Sequence, residues 1–397
     1  MLSKLHFPLL KNNASIAYFD NAATKQTHEF VLNAMNKYYT EFRGSPGRGV
    51  YPMAEQSAVA IDVARQQVAE LINAPAEQVL FTTGSTQALN WVAEWNQSVD
   101  TVIITETEHN ANIIPWLAQG RTVDNGRLVV LPVNEDGQIT DFEKVDQIFS
   151  QHPGSLLSIC VTSNVTGCTL PWEQLTHQAH DHGISVCLDA CQTVALHQID
   201  LTVCPVEWLV FSGHKMYGPT GVGALYTAFD LNQIKSMYYG GGAVKEVTFN
   251  SVIFETGVSK HQPGTPNTAS IIGMGVAAEL VKFYGYDKIQ RDIFLCNSNL
   301  NKAGLWDIPG LDMITRSTNL SKDIHSFIPK KGHSSDIAEI LRNTGVALRT
   351  GRVCAHPYVD RLTDGRGIVR ISVAPYNTQS DCDTLVAELS RAMEILK

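Results

Sequence analysis

The sequence predicts an α/β protein built on a mostly parallel sheet, and three observations support this. Between about residues 60 and 230, short apolar runs alternate with helical stretches, which is the pattern of parallel strands joined by crossover helices. Apolar residues make up 44% of the chain and charged residues only 17%, which suits a large core and an extensive buried interface. The length of 397 residues allows one large and one small domain, or two of comparable size.

The predicted strands of this region are short apolar runs, several of which are followed by polar residues. They are residues 79–81, 102–104, 128–131, 156–161, 184–189 and 208–211. Helical stretches are predicted at residues 86–95 and 112–118. Because ligands of parallel sheets bind at the carboxyl ends of the strands, we expect the polar residues after these runs to form the functional site.

The rest of the chain is predicted to form a lobe and a second, smaller unit. Residues 240–267 are rich in Gly, Thr and Pro and are typical of an extended lobe or loop, and a helix is predicted at residues 269–284. Residues 288–397 have the pattern of a smaller α+β unit that closes with an amphipathic helix at residues 380–397.

Composition argues against several classes of protein. The net charge is −9 and no long run of Lys or Arg occurs, so we do not expect nucleic acid as a partner. The eight cysteines lack the spacing of a disulfide framework. Pro8 interrupts the apolar stretch of residues 1–13, so we do not expect a signal peptide there, and no apolar run is long enough to span a membrane. A reducing cytoplasm and no membrane partner are therefore expected.

Two residues at predicted strand ends point to a particular cofactor. Lys215 follows the strand at residues 208–211. It is either a surface charge or a buried amine that can form a Schiff base with an aldehyde, and alone it does not decide between the two. Asp189 ends the strand at residues 184–189. A pyridoxal phosphate site needs a lysine for the aldehyde and an acid opposite the ring nitrogen, so the pair favours that cofactor.

With these residues and the segments 18–24 and 369–378, the chain resembles the fold type I pyridoxal phosphate enzymes. Within them it resembles the cysteine desulfurases of the class V aminotransferase group. It is most similar to the group II branch, which includes Suf-type desulfurases and cysteine sulfinate desulfinases. The resemblance covers nearly the whole chain. It implies a seven-stranded sheet in a large domain, residues 18–285, a small α+β domain formed by residues 1–17 and 286–397, and a homodimer.

The expected phosphate site lies at residues 82–86, Thr-Thr-Gly-Ser-Thr, between a predicted strand and a predicted helix. A helix N-terminus attracts anions, although an ordinary capped helix carries the same residue types. The resemblance assigns the phosphate to Ser85, Thr86, Ser212 and His214, and it implies that Thr265 reaches the phosphate across the dimer interface.

The expected contacts of the ring follow from the same resemblance. His109 matches the histidine that stacks on the pyridine ring, and an imidazole can also move protons near neutral pH; the alternative is a surface histidine. Asp189 would keep the ring nitrogen protonated. Asn164 and Gln192 match residues near the ring hydroxyl, and without the lysine both would be interpreted as turn residues.

Two arginines are candidates for the substrate. Arg370 lies in a strand-like run of apolar residues, where a charge needs a partner, and a guanidinium can hold a carboxylate at two points. A structural ion pair is the alternative. The resemblance implies that Arg370 binds the substrate α-carboxylate and that Arg349 is a second arginine near the site.

Cys354 is the candidate nucleophile. It lies in a loop bounded by Gly and Pro, near Arg352 and His356, and positive surroundings favour a thiolate. We expect the other seven cysteines to be small core residues. The family has other polar residues before this cysteine, so activation could fall to Arg352 or His356. Cys191 follows Asp189 where the family usually has alanine, and we expect it to be a packing substitution.

The resemblance implies that the chain converts L-cysteine to alanine with a persulfide on Cys354, which a sulfur-acceptor protein then receives. Cysteine sulfinate or selenocysteine as substrate, transamination or epimerisation, and a low-turnover protein that only binds the cofactor are the alternatives. His177, His180 and His182 cluster, but no spacing fits structural zinc, so no metal is expected.

Overall fold

The computed structural model describes residues 2–47, 49–314 and 322–396. Met1 and Lys397, which end the predicted small domain, lie outside these residues. The strands, in chain order, are β1 (Ala17–Tyr18), β2 (Val79–Thr82), β3 (Val102–Thr105), β4 (Leu128–Leu131), β5 (Leu156–Cys160), β6 (Ser185–Asp189), β7 (Trp208–Ser212), β8 (Gly223–Thr227), β9 (Val244–Val247), β10 (Val252–Phe254), β11 (Leu311–Met313), β12 (Ile324–Pro329), β13 (Val346–Ala347), β14 (Arg349–Gly351) and β15 (Ile368–Ser372).

The helices alternate with these strands in the first part of the chain and cover both faces of the main sheet. In chain order they are α1 (Pro8–Asn12), α2 (Glu29–Glu41), α3 (Pro52–Leu71), α4 (Ser85–Trp95), α5 (Ile114–Ala118), α6 (Phe142–Gln151), α7 (Trp172–Asp181), α8 (Val258–His261), α9 (Thr268–Tyr284), α10 (Tyr286–Ala303), α11 (Ser334–Leu341), α12 (His356–Thr363) and α13 (Gln379–Ile395).

The main sheet has seven strands in the order β2-β8-β7-β6-β5-β3-β4, and all but β8 run parallel. Its strands β2, β3 and β5 are buried along their whole length because helices cover both faces, which is why they appear in the sequence as continuous apolar runs. All six predicted strands are present. The mostly parallel sheet is therefore confirmed.

The antiparallel strand β8 was not predicted. It begins at Gly223, and a Cβ atom there would lie 2.7 Å from the Cα of Gly84 and 2.7 Å from the carbonyl oxygen of Phe211. Glycine is therefore required where β8 passes between its two neighbours. The same glycine-rich start made the segment resemble a loop in sequence.

Two other segments differ in detail from the prediction. Residues 110–118 form a 3₁₀ turn, Asn110–Asn112, followed by α5, which has Pro115 in its first turn, rather than one helix from residue 112. The lobe at residues 240–267 contains the hairpin of β9 and β10, followed by the short helix α8.

A second sheet of four strands, in the order β11-β12-β15-β14, packs beside the first with α10, α11 and α13. The N-terminal segment contacts this part of the chain. Strand β1 pairs with β13, and the Lys4 ammonium donates to the Asp381 carboxylate of α13 at 2.8 Å. These contacts support, as a proposal, the division into residues 18–285 and residues 1–17 with 286–397. None of the helices in the described ranges is long and apolar enough to cross a membrane.

Candidate active site

A cavity of about 450 Å³ lies at the carboxyl ends of β2, β5, β6 and β7, with β14 and β15 of the second sheet on its other side. Every predicted site residue except Thr265 lines it. These residues are Ser85, Thr86, His109, Asn164, Asp189, Gln192, Ser212, His214, Lys215, Arg349, Cys354 and Arg370. The fold thus collects, at one sheet edge, side chains that lie far apart in sequence.

Lys215 ends a 3₁₀ turn, Gly213–Lys215, that follows β7 directly. Its ammonium has no ion-pair partner among the residues that the structure describes, although it lines the cavity. The neighbouring imidazole of His214 has its pKa lowered to about 4 by burial, with the charges of Lys215 and Lys25 adding to the effect. His214 is therefore a neutral neighbour of the amine at ordinary pH.

The floor of the cavity carries a buried carboxylate at the end of β6. Asp189 accepts a hydrogen bond from the Cys191 backbone N–H at 3.0 Å, which fixes one of its oxygens. Burial, and then the charge of Asp189, raise the pKa of the Cys191 thiol to about 12. Cys191 is thus a protonated packing residue beside the carboxylate at neutral pH, as expected from the sequence.

The N-terminus of α4 forms the anion-binding end of the cavity. Gly84 occupies the cap position without a side-chain cap. The Ser85 N–H donates to Ser212 Oγ at 2.9 Å, and Ser212 Oγ donates to Ser85 Oγ at 3.0 Å. Two hydroxyls and the positive end of a helix therefore lie at the cavity that Thr86 and His214 also line. This donor set fits a phosphate group.

His109 faces the same cavity from the turn after β3. Its Nδ1 accepts the Ala111 backbone N–H at 3.1 Å, which leaves Nε2 to carry the ring proton. Burial lowers the pKa of His109 to about 4, and the charge of Lys215 contributes in the same direction. A neutral, flat imidazole is thus presented to the cavity.

Glu108, beside His109, was not predicted from the sequence. Its carboxylate is fully buried and accepts hydrogen bonds from Thr105 Oγ at 2.6 Å, Asn112 Nδ2 at 2.7 Å and the Cys160 N–H at 2.8 Å. Burial raises the pKa of Glu108 to about 7 against the effect of these donors. The residue anchors the His109 turn to β5.

The two arginines share one carboxylate, Asp20, which the sequence reasoning did not identify. Arg349 Nη2 lies 2.7 Å from Asp20 Oδ2, and Arg370 Nη2 lies 3.4 Å from Asp20 Oδ1. Arg370 Nη1 also donates to the backbone carbonyl of Asn164 at 2.9 Å, whereas its buried Nε has no hydrogen-bond partner in the described structure. The guanidinium is therefore held in place with donor capacity left for a further anion.

The loop that carries Cys354 is strained and closely held. Val353 and Cys354 have φ angles of 42° and 58°, a left-handed conformation that costs a non-glycine residue about 1 kcal/mol or more. Asn164 Nδ2 donates to the Val353 carbonyl at 2.7 Å, and the Asn110 N–H donates to the Cys354 carbonyl at 2.6 Å. These bonds hold the loop in this conformation at the mouth of the cavity.

Cys354 is exposed while the other seven cysteines are buried, as predicted. Arg352, one candidate for activating the thiol, instead pairs with Asp360 at 2.8 Å. Arg349 lines the cavity together with Cys354. The pKa of Arg349 is raised mainly by Asp20, and the negative charge of a Cys354 thiolate raises it further. No described contact connects the ring of the exposed His356 with the thiol, so its activating role stays a prediction.

Thr265 and the histidines His180 and His182 lie outside this cavity. Thr265 lines a separate surface cavity of about 370 Å³ with Tyr38, Arg43 and Tyr51, and its expected role needs a second chain, so it stays a prediction. His180 lies 3.3 Å from Glu207, and His182 lies 2.9 Å from Asp146. Across the described ranges, no group of three or more His, Cys, Asp or Glu side chains could hold a metal ion.

Comparison with known proteins gives consistent matches over almost the whole chain. The family model described as aminotransferase class-V matches residues 17–385. A cysteine desulfurase from Klebsiella pneumoniae (strain 342) is 34% identical over 98% of this chain and 97% of its own. One from Synechococcus elongatus is 32% identical over 97% of this chain and 62% of its own.

Solved structures agree with these matches. The apo structure of a cysteine desulfurase from Thermococcus onnurineus NA1 has a TM-score of 0.88 at 26% identity, and the match covers 98% of this chain and 96% of that one. The cysteine desulfurase CsdA from Escherichia coli has a TM-score of 0.87 at 31% identity, with 99% and 98% covered. The predicted fold class is thereby confirmed.

Proposed function

The chain belongs to the aminotransferase class-V family, as its motifs predicted, and we propose that it is a pyridoxal phosphate-dependent cysteine desulfurase of the group II type. One observation carries the proposal: the single exposed cysteine, Cys354, lies at the mouth of the same cavity as Lys215 and Arg370, while the other seven cysteines are buried. A site that combines an amine, a carboxylate anchor and a reactive thiol suits the removal of sulfur from L-cysteine.

The residues present fit pyridoxal phosphate. Ser85, Thr86, Ser212 and His214 would hold its phosphate at the N-terminus of α4, with Thr265 added by a second chain. Asp189 would pair with the ring nitrogen, His109 would pack on the ring face, and Asn164 and Gln192 would lie near the ring hydroxyl. When bound, the cofactor supplies an aldehyde that links to amines and a ring that accepts electrons from the substrate's α-carbon.

The protein's own groups would position the substrate and move its protons. Arg370 would bind the α-carboxylate of L-cysteine through donor capacity that its existing partners leave open, with Arg349 close beside it. Lys215 Nζ, which has no ion-pair partner in the described structure, would take the α-proton and return a proton to complete the product. The neutral ring of His109 would exclude water from the face it covers.

Cys354 would carry out the sulfur transfer. Its thiolate attacks the sulfur of the bound substrate, a new S–S bond forms, and the C–S bond breaks with its electron pair left on the β-carbon. Protonation of that carbon gives L-alanine, so one thiol and one L-cysteine yield one Cys354 persulfide and one L-alanine. A thiol of an acceptor protein then takes the outer sulfur by the same exchange.

The proposal is tested by incubating the protein, loaded with pyridoxal phosphate, with L-cysteine and a thiol reductant, and measuring alanine and sulfide together. Equal amounts of both are expected, with loss of both in Cys354→Ala and retention in the matched variant Cys191→Ala. Cysteine turnover that survives Cys354→Ala would contradict the assignment of the nucleophile. Turnover of cysteine sulfinate or selenocysteine alone would instead favour a desulfinase or selenocysteine lyase. Pyridoxamine or racemised product would indicate transamination or epimerisation.

We also propose that the protein is a homodimer. The hairpin of β9 and β10 exposes Val247, Phe249 and Ile253, and α3 exposes Val59 and Val63. Exposed apolar surface of this extent is typical of a surface that another chain covers. Thr265 could reach a phosphate only from such a partner chain, so light scattering that returns a monomer mass would reject both ideas.

We propose a cytoplasmic location, because the cysteines are used as they are in proteins of reducing compartments. All eight cysteines are free thiols, and no pair of them forms a disulfide. A reactive Cys354 that must cycle between thiol and persulfide requires reducing surroundings. Immunolocalisation or fractionation with a cytoplasmic marker tests this, and recovery with secreted proteins would contradict it.

A further inference from the structure

Lys25 is a buried lysine outside the proposed cofactor site, and the charge of Arg370, the arginine proposed to bind substrate, acts on it. The side chains of Lys25 and Asp323 are only 1% and 3% exposed, and Lys25 Nζ lies 3.9 Å from Asp323 Oδ2. Neither of these two atoms has a hydrogen-bond partner in the described structure. Buried ion pairs with so few hydrogen bonds contribute little to the stability of a fold. A contribution to stability therefore does not explain why this pair is present.

The pair connects the two elements that would hold the ends of a substrate. The backbone N–H of Lys25 donates to the backbone carbonyl of His214, the residue before Lys215, at 2.9 Å. The Asp323 carbonyl accepts the N–H of Val373, three residues beyond Arg370, at 2.8 Å. Lys25 is thus attached to the turn of the amine, and Asp323 to the strand of the carboxylate anchor.

The charges around Arg370 are balanced by this pair. Burial lowers the pKa of Lys25, which Asp323 opposes, and Lys215 and Arg370 lower it further. Burial raises the pKa of Asp323, and the charges of Lys25 and Arg370 both oppose that rise. The Asp323 carboxylate therefore interacts electrostatically with two cations, Lys25 and Arg370. With Arg349 and Asp20 included, the cations Lys25, Arg349 and Arg370 outnumber the carboxylates of Asp20 and Asp323, and this excess of positive charge suits a bound anion.

We propose that Lys25 is a positioning residue that keeps Arg370 available for the substrate carboxylate by satisfying Asp323. Without Lys25, Asp323 keeps a single buried cation within range, and an arginine does not give up its charge. The unpartnered Nε of Arg370 would turn to Asp323, and an internal carboxylate would then compete with the carboxylate of the substrate. This inference rests on the proposed function, in which Arg370 binds an α-carboxylate.

Two probes that differ by a carboxylate separate this role from a structural one. Equilibrium binding of L-alanine and of ethylamine to the protein loaded with pyridoxal phosphate is followed by the change in cofactor absorbance. Lys25→Met is expected to weaken L-alanine binding by about tenfold or more, since a buried charge loses its partner, and to leave ethylamine binding unchanged. Asp323→Asn should bind L-alanine as well as the unsubstituted protein, and Lys25→Met with Asp323→Asn should restore binding.

Other results of the same binding measurements would contradict the proposed role of Lys25. Equal weakening of L-alanine binding by Lys25→Met and Asp323→Asn would show a packing contact and overturn the proposal. Equal weakening of both probes by Lys25→Met would place its effect at Lys215 instead. If Lys25→Met does not fold, Asp323→Asn and the double variant decide, because the proposal requires both to bind L-alanine normally. The assay involves no sulfur chemistry, so a protein that binds L-alanine but does not release sulfide would refute the proposed function separately.

Discussion

Replacing Glu108 by glutamine should remove a specific pH dependence of stability. The folded protein raises the pKa of this carboxyl from 4.5 to about 7, mainly by burial. Below pH 4.5 the group is protonated in both states and has no effect. As the pH rises from there, the unfolded chain loses the proton first, so stability falls until both states are ionised above pH 7.

The size of the effect follows from the two pKa values. At about 1.4 kcal/mol per pH unit, a rise from 4.5 to about 7 corresponds to about 3 kcal/mol. An unfolding entropy of about 2.1 cal/mol/K per residue, over 397 residues, converts this into about 4 °C in Tm. Glutamine replaces one acceptor oxygen by a donor facing Asn112, which lowers Tm by an amount that does not depend on pH.

Thermal unfolding of the cofactor-free protein from pH 4.5 to pH 8.5 measures this. The Tm of Glu108→Gln, relative to the unsubstituted protein, should rise by about 4 °C over the range. A matched control is Glu77→Gln, which removes an exposed carboxylate and should give a parallel curve. A difference for Glu108→Gln that stays flat, or that falls with rising pH, would refute the argument from burial.

Three further outcomes are expected. Phe249→Asp places a charge on a fully exposed apolar side chain of the hairpin, so light scattering should show a monomer with unchanged circular dichroism, and an intact dimer would exclude the hairpin from the interface. Arg349→Lys cannot hold both oxygens of Asp20, so KM for L-cysteine should rise about tenfold with a smaller change in kcat, and an unchanged KM would exclude Arg349 from carboxylate binding. Iodoacetamide should label Cys354 alone in the native protein, because burial holds the pKa of Cys191 at about 12; equally fast labelling of Cys191 would contradict this.

Much of the fold was predictable because the main sheet is buried on both faces. Strands such as β3 and β5 contain little but apolar residues, and no amphipathic alternative competes with that pattern. Strand β8 was missed because Gly223, needed for close approach to Gly84, follows Gly221 closely and gives the segment the appearance of a loop. The turn before α5 was missed because the side chain of His109 caps a 3₁₀ turn that the helical pattern hides.

The cavity-lining residues that the sequence predicted are those that end or closely follow strands, or that stand in a distinctive loop. Lys215, Asp189 and Cys354 all meet that condition. Asp20 follows β1, but that strand has only two residues and was not predicted, and the partner Arg370 lies 350 positions away, so the role of Asp20 appears only when the second sheet packs beside the first. Lys25 was overlooked for the same reason. Thr265 depends on a second chain, which a single sequence does not describe.

The most direct test of the account is to locate the sulfur. The loaded protein is treated with L-cysteine without reductant, alkylated, digested and analysed by mass spectrometry. The account predicts one additional sulfur atom on the peptide that contains Cys354, formed with an equal amount of L-alanine, and absent in Cys354→Ala. Alanine formed without any sulfur on that peptide, or the added sulfur found on Cys191, would contradict the role of Cys354 as the nucleophile.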